Sequence, residues 1–131
     1  MVKKITALRK LRPELKRVRA MRTPELVSLI ARETGLNEGE ILFVTYELRD
    51  SITFSAQRGQ AVKVEGLGLF APKMRSDGSL TVTFRPDRAF LGHLNRDKVI
   101  TPIINRANIG KSADELLALW NQLHPEDPVE E

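Results

Sequence analysis

Residues 64–86 read VEGLGLFAPKMRSDGSLTVTFRP, and the fold class turns on this stretch. Leu80, Val82 and Phe84 alternate with Ser79, Thr81 and Thr83, the two-residue period of a half-buried strand. Gly66 and Gly68 flank Leu67 and mark a bend or a close backbone approach. Asp77-Gly78 is a two-residue hairpin signal, and Pro86 closes the return strand. The spacing predicts an antiparallel hairpin whose first strand runs to about Lys73. Upstream of it, Val62 and Val64 alternate with Ala61, Lys63 and Glu65 after a break at Gly59, which adds a third strand.

Working outward, residues 22–59 read as a helical hairpin. Thr23 is placed to cap a first helix, with Pro24 at its first position, where a missing N–H costs nothing. Gly35 is placed to end it. Asn37 is placed to cap a second helix, with Glu40 completing a capping box and Leu36 and Ile41 a hydrophobic staple. Ile41, Val44, Leu48 and Ile52 make one apolar stripe on that helix, and Leu42, Phe43, Tyr46 and Phe54 widen it beyond a single face. A helix of this kind needs partners on most sides. A chain this small does not supply them, so the pattern predicts dimerisation. Farther on, 89–94 reads as a short helix and 96–111 as irregular. Ser112 and Glu115 form a second capping box, followed by Leu116, Leu119, Trp120 and Leu123 at i, i+3, i+4 and i+7. That helix stops at His124-Pro125 and leaves EDPVEE as a frayed acidic tail.

Charge is distributed unevenly. The 131 residues carry 21 Lys/Arg and 17 Asp/Glu, a formal net charge of +4. Within residues 1–22, Lys3, Lys4, Arg9, Lys10, Arg12, Lys16, Arg17, Arg19 and Arg22 face only Glu14, a formal +8. Residues 23–97 are close to neutral and 98–131 are net acidic. Such asymmetry suggests a polyanion-binding segment. Ile5, Leu8, Leu11, Leu15 and Val18 give the same segment helical spacing, interrupted at Pro13, so two short helical pieces or a helix restarting there are expected. The competing reading is an amphipathic helix packed on the core with its cations facing water.

Several classes of function are disfavoured. There is no cysteine, which removes disulfides, thiolate nucleophiles and cysteine zinc sites together and fits a reducing cytosol. No apolar run reaches the ~20 residues of a membrane span. The basic N-terminus lacks the apolar stretch of a secretory signal and the serine content of a transit peptide. His93 and His124 have no second metal ligand at helical spacing. Glu38/Glu40 and Asp114/Glu115 suit helix starts rather than a catalytic dyad. The NIGKS segment, 108–112, imitates the end of a phosphate-binding loop, but Asn105 stands where its upstream glycine belongs and no strand leads into it. Gly110 and Ser112 therefore read as turn and cap. Neither an enzyme, a cofactor nor a metal site is expected.

The order helix, helix, three strands, short helix, with VEGLGLF leading the hairpin and VTFRP closing it, resembles the HU/integration host factor family of bacterial histone-like DNA-binding proteins. It is similar above all to the divergent branch with N-terminal extensions. The resemblance covers about residues 23–95. It implies an α+β fold in which a helical hairpin, a three-stranded antiparallel sheet and a short third helix intertwine with a second copy as a homodimer. Residues 1–22 are then a basic N-terminal extension and 96–131 a C-terminal extension with an amphipathic helix. The resemblance also implies a saddle of two sheets that receives double-stranded DNA. Family members kink the duplex with an apolar wedge, carried on a long basic arm with a proline near its tip. Here only Lys73 to Thr81 are expected beyond the sheet body, with two cations and no proline. The wedge has no counterpart, whereas Lys73, Arg75, Arg85 and Arg88 stand where saddle and third-helix cations are implied.

Taken together, the expectation is a cytoplasmic, nucleoid-associated protein that binds DNA without sequence specificity and with little bending. Phosphates would be met by Lys3, Lys4, Arg9, Lys10, Arg12, Lys16, Arg17 and Arg19 with the four saddle cations. The alternative is an HU-like dimerisation or scaffold module that has lost DNA binding and recruits proteins. RNA is a third option, since phosphate contacts alone do not separate it from DNA. Met74 and Leu80 read as hairpin packing in preference to a wedge. The 112–123 helix reads as docking on the protein's own base, with Trp120 as a partner hot spot the second possibility.

Overall fold

The computed structural model describes residues 1–130; Glu131, the last residue of the expected tail, lies outside the described residues. In chain order the elements are α1 (Lys4–Leu11), β1 (Glu14–Leu15), α2 (Thr23–Thr34), α3 (Glu38–Ala56), β2 (Val62–Val64), β3 (Gly68–Met74), β4 (Leu80–Pro86), α4 (Arg88–Leu94), β5 (Ile103–Ile104) and α5 (Ala113–Leu123). They divide into two units. One is Ala20–Lys98, and the other joins Met1–Arg19 to the chain from Val99 onward.

In the 20–98 unit the helical hairpin forms as expected, with local differences. Pro24 lies in the first turn of α2, but Arg22 occupies the cap position without a side-chain bond, so Thr23 is the first helical residue rather than the cap. Gly35 ends the helix in the left-handed conformation, φ 73°, and its N–H reaches the Ala31 carbonyl at 2.8 Å. Asn37 caps α3 by accepting the Gly39 N–H at 2.7 Å. The bond expected from Glu40 is not made among the described residues; Glu38 instead accepts the Ser28 hydroxyl at 2.9 Å and ties α2 to α3. The sheet is antiparallel in the order β2-β3-β4. Its ladder runs without a break from Gly68↔Pro86 to Met74↔Leu80. Val27, Ile41 and Ala56 are buried, yet Phe43 and Val44 are 65% and 64% exposed, and Tyr46, Leu48 and Phe54 also face outward.

The other unit corrects several expectations. Pro13 does not restart a helix. It ends α1, because its ring drives Arg12 out of helical geometry to ψ 149°, and the chain continues as β1. That strand pairs with β5 in the register Glu14↔Ile104 and Leu15↔Ile103. The 96–111 segment, read as irregular, thus supplies a strand and a short 3-10 turn over Arg106–Asn108. Its side chains close the end of α1: Asn105 donates to the carbonyls of Lys10 and Arg12 at 2.7 and 3.0 Å, and buried Asn108 donates to that of Leu11 at 2.7 Å. Carbonyls orphaned by the helix end are thereby satisfied.

Packing on α1 differs from the apolar stripe as well. Ala7 is fully buried and Leu11 nearly so, against Leu116 and Trp120 of α5, while Ile5 and Val18 are exposed. The small Ala7 side chain lets the two helices meet there. Ser112 and Glu115 form the expected capping box with both reciprocal bonds. Downstream, 126–130 is not frayed. The Trp120 indole N–H donates to the Asp127 carbonyl at 2.9 Å, Asn121 accepts the Val129 N–H at 2.8 Å, and Val129 bridges Val2 in parallel.

Trp120 is 4% exposed, so Trp120→Ala should cost about 3–5 kcal/mol. Amide hydrogen exchange should then quicken across 1–19 and 99–130 while 20–98 stays protected. Uniform protection in the variant would show that this core is not what holds the unit.

Candidate nucleic-acid interface

Strand pairing sorts the sheet into two chemically distinct faces, because cross-strand partners share a side and neighbours along a strand alternate. One face carries Lys63, Leu69 and Arg85, then Ala71 and Thr83, then Lys73 and Thr81. The other carries Val62, Phe70 and Phe84, then Pro72 and Val82, then Met74 and Leu80. The Phe70 and Phe84 rings lie 4.9 Å apart, centroid to centroid. No carboxylate stands among the ladder residues of the first face.

Asp87, which belongs to no motif in the sequence, organises the base of this sheet. One of its carboxylate oxygens accepts the Gly66 N–H at 2.9 Å, and the other lies 3.2 Å from the Lys63 ammonium. Its backbone N–H donates to the Leu67 carbonyl at 3.0 Å. One residue thus clamps the β2–β3 turn to the end of β4 and removes Lys63 as a free cation. The sequence signal was a lone Asp between Pro86 and Arg88, which looks like a helix cap. It occupies the cap position of α4, but its side chain makes no cap bond. Gly68 is required nearby, since a Cβ there would run into the Arg85 carbonyl and the Phe84 ring.

At the far end the turn is not the two-residue type expected from Asp77-Gly78. Arg75 donates its N–H to Ser79 at 2.8 Å, and Gly78 donates back to the Arg75 carbonyl at 2.9 Å. Gly78 alone in the turn has positive φ, 85°. This is a three-residue loop ending in a left-handed glycine, and pairing reaches Met74 and Leu80, one residue past the Lys73 expected to end the first strand and in line with their reading as hairpin packing. Lys73 therefore projects from the ladder and Arg75 from its edge. Met74 and Leu80 pair across the ladder and remain partly exposed. Arg88 opens α4 and is exposed.

The eight N-terminal cations belong to the other unit, and all are exposed. Lys3 and Lys4 stand at the start of α1, and Arg9 and Lys10 in its last turn, where cations favour the macrodipole. Lys10 lies over the Trp120 ring, 5.4 Å from its centroid. Arg9, Arg12 and Arg17 line one open hollow of about 940 Å³ with Pro13, Glu14 and Leu15. Within it Arg12 is held by Glu14, with Nε and Nη2 at 3.0 and 2.9 Å from the same carboxylate oxygen. Lys16 and Arg19 follow β1 outside any helix or strand. The twelve candidates thus form two sets in two units. Trp120, as a buried core residue, is not presented to a partner.

Among the described residues no group of His, Asp or Glu is arranged to hold a metal ion, and no helix is long and apolar enough to cross a membrane. The helical hairpin, three-stranded sheet and short following helix define an α+β protein of the HU type. Residues 3–83 match the model of the HU-HIG family, described as an HU domain fused to wHTH, Ig, or Glycine-rich motif. That is more than half of the chain, and the chain belongs to this family. Among solved structures it is similar to HU from Thermotoga maritima, at 20% identity and TM-score 0.46 over 56% of this chain and 98% of that one. It is also similar to the protein of an Anabaena HU-DNA cocrystal structure, at 15% identity and TM-score 0.47 over 59% of this chain and 100% of that one. No curated protein matches.

The turn carries a titratable lock. The Ser79 hydroxyl, 2.6 Å from the Asp77 carboxylate, and the Ser79 N–H at 2.9 Å hold Asp77 below the ordinary aspartate range. A depressed folded value means that the stabilisation is complete above the unfolded pKa of about 4 and is lost as pH falls through the folded value. The Ser79 amide resonance should therefore hold constant from neutrality and move only below about pH 4. A midpoint at or above the ordinary aspartate value would contradict the lock.

Proposed function

We propose that the protein is a histone-like, nucleoid-associated DNA-binding homodimer of the cytoplasm that holds duplex DNA through phosphate contacts, without sequence specificity and with little bending. Support comes first from the sheet face that carries Lys73, Arg85, Thr81 and Thr83, with no carboxylate among its ladder residues and the Asp87 carboxylate engaged by Lys63 at its base. Cations and hydroxyls on a pleated surface suit a phosphate backbone, and contacts of that kind carry no sequence information. Arg75 and Arg88 extend this set. The eight exposed cations from Lys3 to Arg19 add the second. Membership of an HU-domain family agrees with this reading.

Dimerisation is supported by the apolar surface that one copy leaves open. Phe43, Val44, Tyr46 and Phe54 on α3, Val82 and Phe84 on the sheet, and Leu91 and Leu94 on α4 are all exposed. Such a surface is normally an interface. Little bending is expected because bending in minor-groove binders rests on an apolar wedge pressed between bases. Here the loop is only Ser76-Asp77-Gly78, and nothing projects past it.

A second reading, an HU-like scaffold that no longer binds DNA, is favoured by one observation. The 20–98 unit holds eleven basic and ten acidic side chains, so its own field is close to neutral.

Truncating residues 1–22 would destroy the α1–α5 core, so charge substitutions are the cleaner test. Lys73→Gln with Arg85→Gln, and separately Lys3→Gln, Lys4→Gln, Lys16→Gln and Arg17→Gln, should each weaken binding alike on unrelated sequences. Each lost phosphate contact should flatten the slope of log K against log salt by roughly one. Unchanged affinity and slope in both variants would remove these residues from the interface.

A further inference from the structure

Pro13 ends α1 and β1 follows at once, so arginines from a helix end and from the chain beyond a strand line one hollow. Arg9 comes from the last turn of α1, Arg12 from its C-terminal cap and Arg17 from the chain after β1. The backbone between them is tied down. Lys16 donates its N–H to the Pro102 carbonyl at 2.9 Å, and Thr101 donates its hydroxyl to the Lys16 carbonyl at 2.9 Å. The β1–β5 pairing adds to these bonds. A site whose backbone is already ordered loses less on binding than a flexible tail does.

Two features set the electrostatics of the hollow. The C-terminal end of a helix gathers partial negative charge, which opposes an anion. Here the carbonyls of Lys10, Leu11 and Arg12 are answered by the amide donors of Asn105 and Asn108. The one carboxylate in the lining, Glu14, is held by Arg12. Three guanidiniums and one carboxylate leave the lining at a formal +2. Arg9 and Arg17 have no ion-pair partner among the described residues. Guanidinium forks match phosphate oxygens in a bidentate geometry that an ammonium does not reproduce. Lys3 and Lys4, by contrast, stand at the opposite end of α1 and outside the lining. We infer that the hollow is a discrete phosphate-binding site, in which Arg9 and Arg17 take the phosphate oxygens while Arg12 stays tied to Glu14. It deepens the DNA-binding reading, and rests on it where the phosphate is that of a nucleic-acid backbone.

The test follows the Arg9 and Arg17 side-chain Nε–H resonances of the full chain at fixed ionic strength. One titrant is tripolyphosphate, and the other is a duplex without terminal phosphates. Each copy of the chain carries its own hollow, so a substituted chain loses every one. Both titrants should move the two resonances in wild type. Arg9→Lys with Arg17→Lys keeps the charge but removes the forks, and should bind tripolyphosphate about tenfold more weakly. Lys3→Gln with Lys4→Gln removes charge outside the hollow and should cost less than that. Unmoved resonances with tripolyphosphate, or equal affinity in wild type and the double-lysine variant, would overturn the inference whatever the duplex does. A loss in the Lys3/Lys4 variant as large as in the double-lysine variant would overturn it too, since diffuse charge would then account for the binding. Resonances moved by tripolyphosphate and not by the duplex would leave the site standing as one for small polyphosphates, and would remove these arginines from the DNA-binding reading.

Discussion

Trp120 lies against Ala7 and Leu11, with its indole N–H given to the Asp127 carbonyl and the Lys10 ammonium over its ring. That single burial joins the two ends of the chain. It turns the most basic stretch of the sequence into part of a folded unit, with α1 held by α5 and its last carbonyls answered by Asn105 and Asn108. The acidic end of the chain is held in the same unit, by the Val2–Val129 bridge. The cations therefore stand on an ordered backbone, and in the proposed contacts with phosphate they would pay less ordering cost than a free tail.

The 20–98 unit is governed by a different constraint, the amount of apolar surface on α3 and the sheet. One copy buries Val27, Ile41 and Ala56 and leaves most of the large apolar side chains in water. The proposed second copy, covering them, would account for a sequence that places apolar residues around most of a helix. On the proposed reading the hairpin's apolar face is covered by that second copy and its cationic face meets a polyanion. Asp87 holds the two in register by binding Gly66 and Lys63 together.

Much of this unit was legible in the sequence, because local signals and tertiary structure agree there. Gly35, Asn37, the alternation of residues 80–84 and Pro86 each do what their chemistry suggests. The turn was misread because Asp-Gly serves two hairpin types, and only the backbone shows Gly78 alone at positive φ. In the other unit, legibility failed wherever the deciding partner is distant in sequence. Nothing in Glu14-Leu15 announces pairing with Ile103-Ile104, and a two-residue strand has no period to detect. Ala7 was missed because apolar spacing was read from large side chains, whereas a close helix crossing is made by a small one. The tail was read as frayed because its composition is acidic, but its order comes from backbone bonds that composition does not record. Of the cations, the identities were legible. Their division between two units, and the engagement of Arg12 by Glu14 and Lys63 by Asp87, was not.

The central claim, that this is an HU-type protein that holds DNA by its phosphates and leaves it straight, is tested most directly by one titration. A duplex labelled at both ends for energy transfer is titrated with the intact protein at two salt concentrations. The account predicts saturable binding that weakens steeply with salt, with a slope of roughly −4 per chain if about half the N-terminal cations meet phosphates, and an end-to-end distance that stays that of free DNA. Absence of salt-sensitive binding, or binding accompanied by a sharp fall in end-to-end distance, would contradict it.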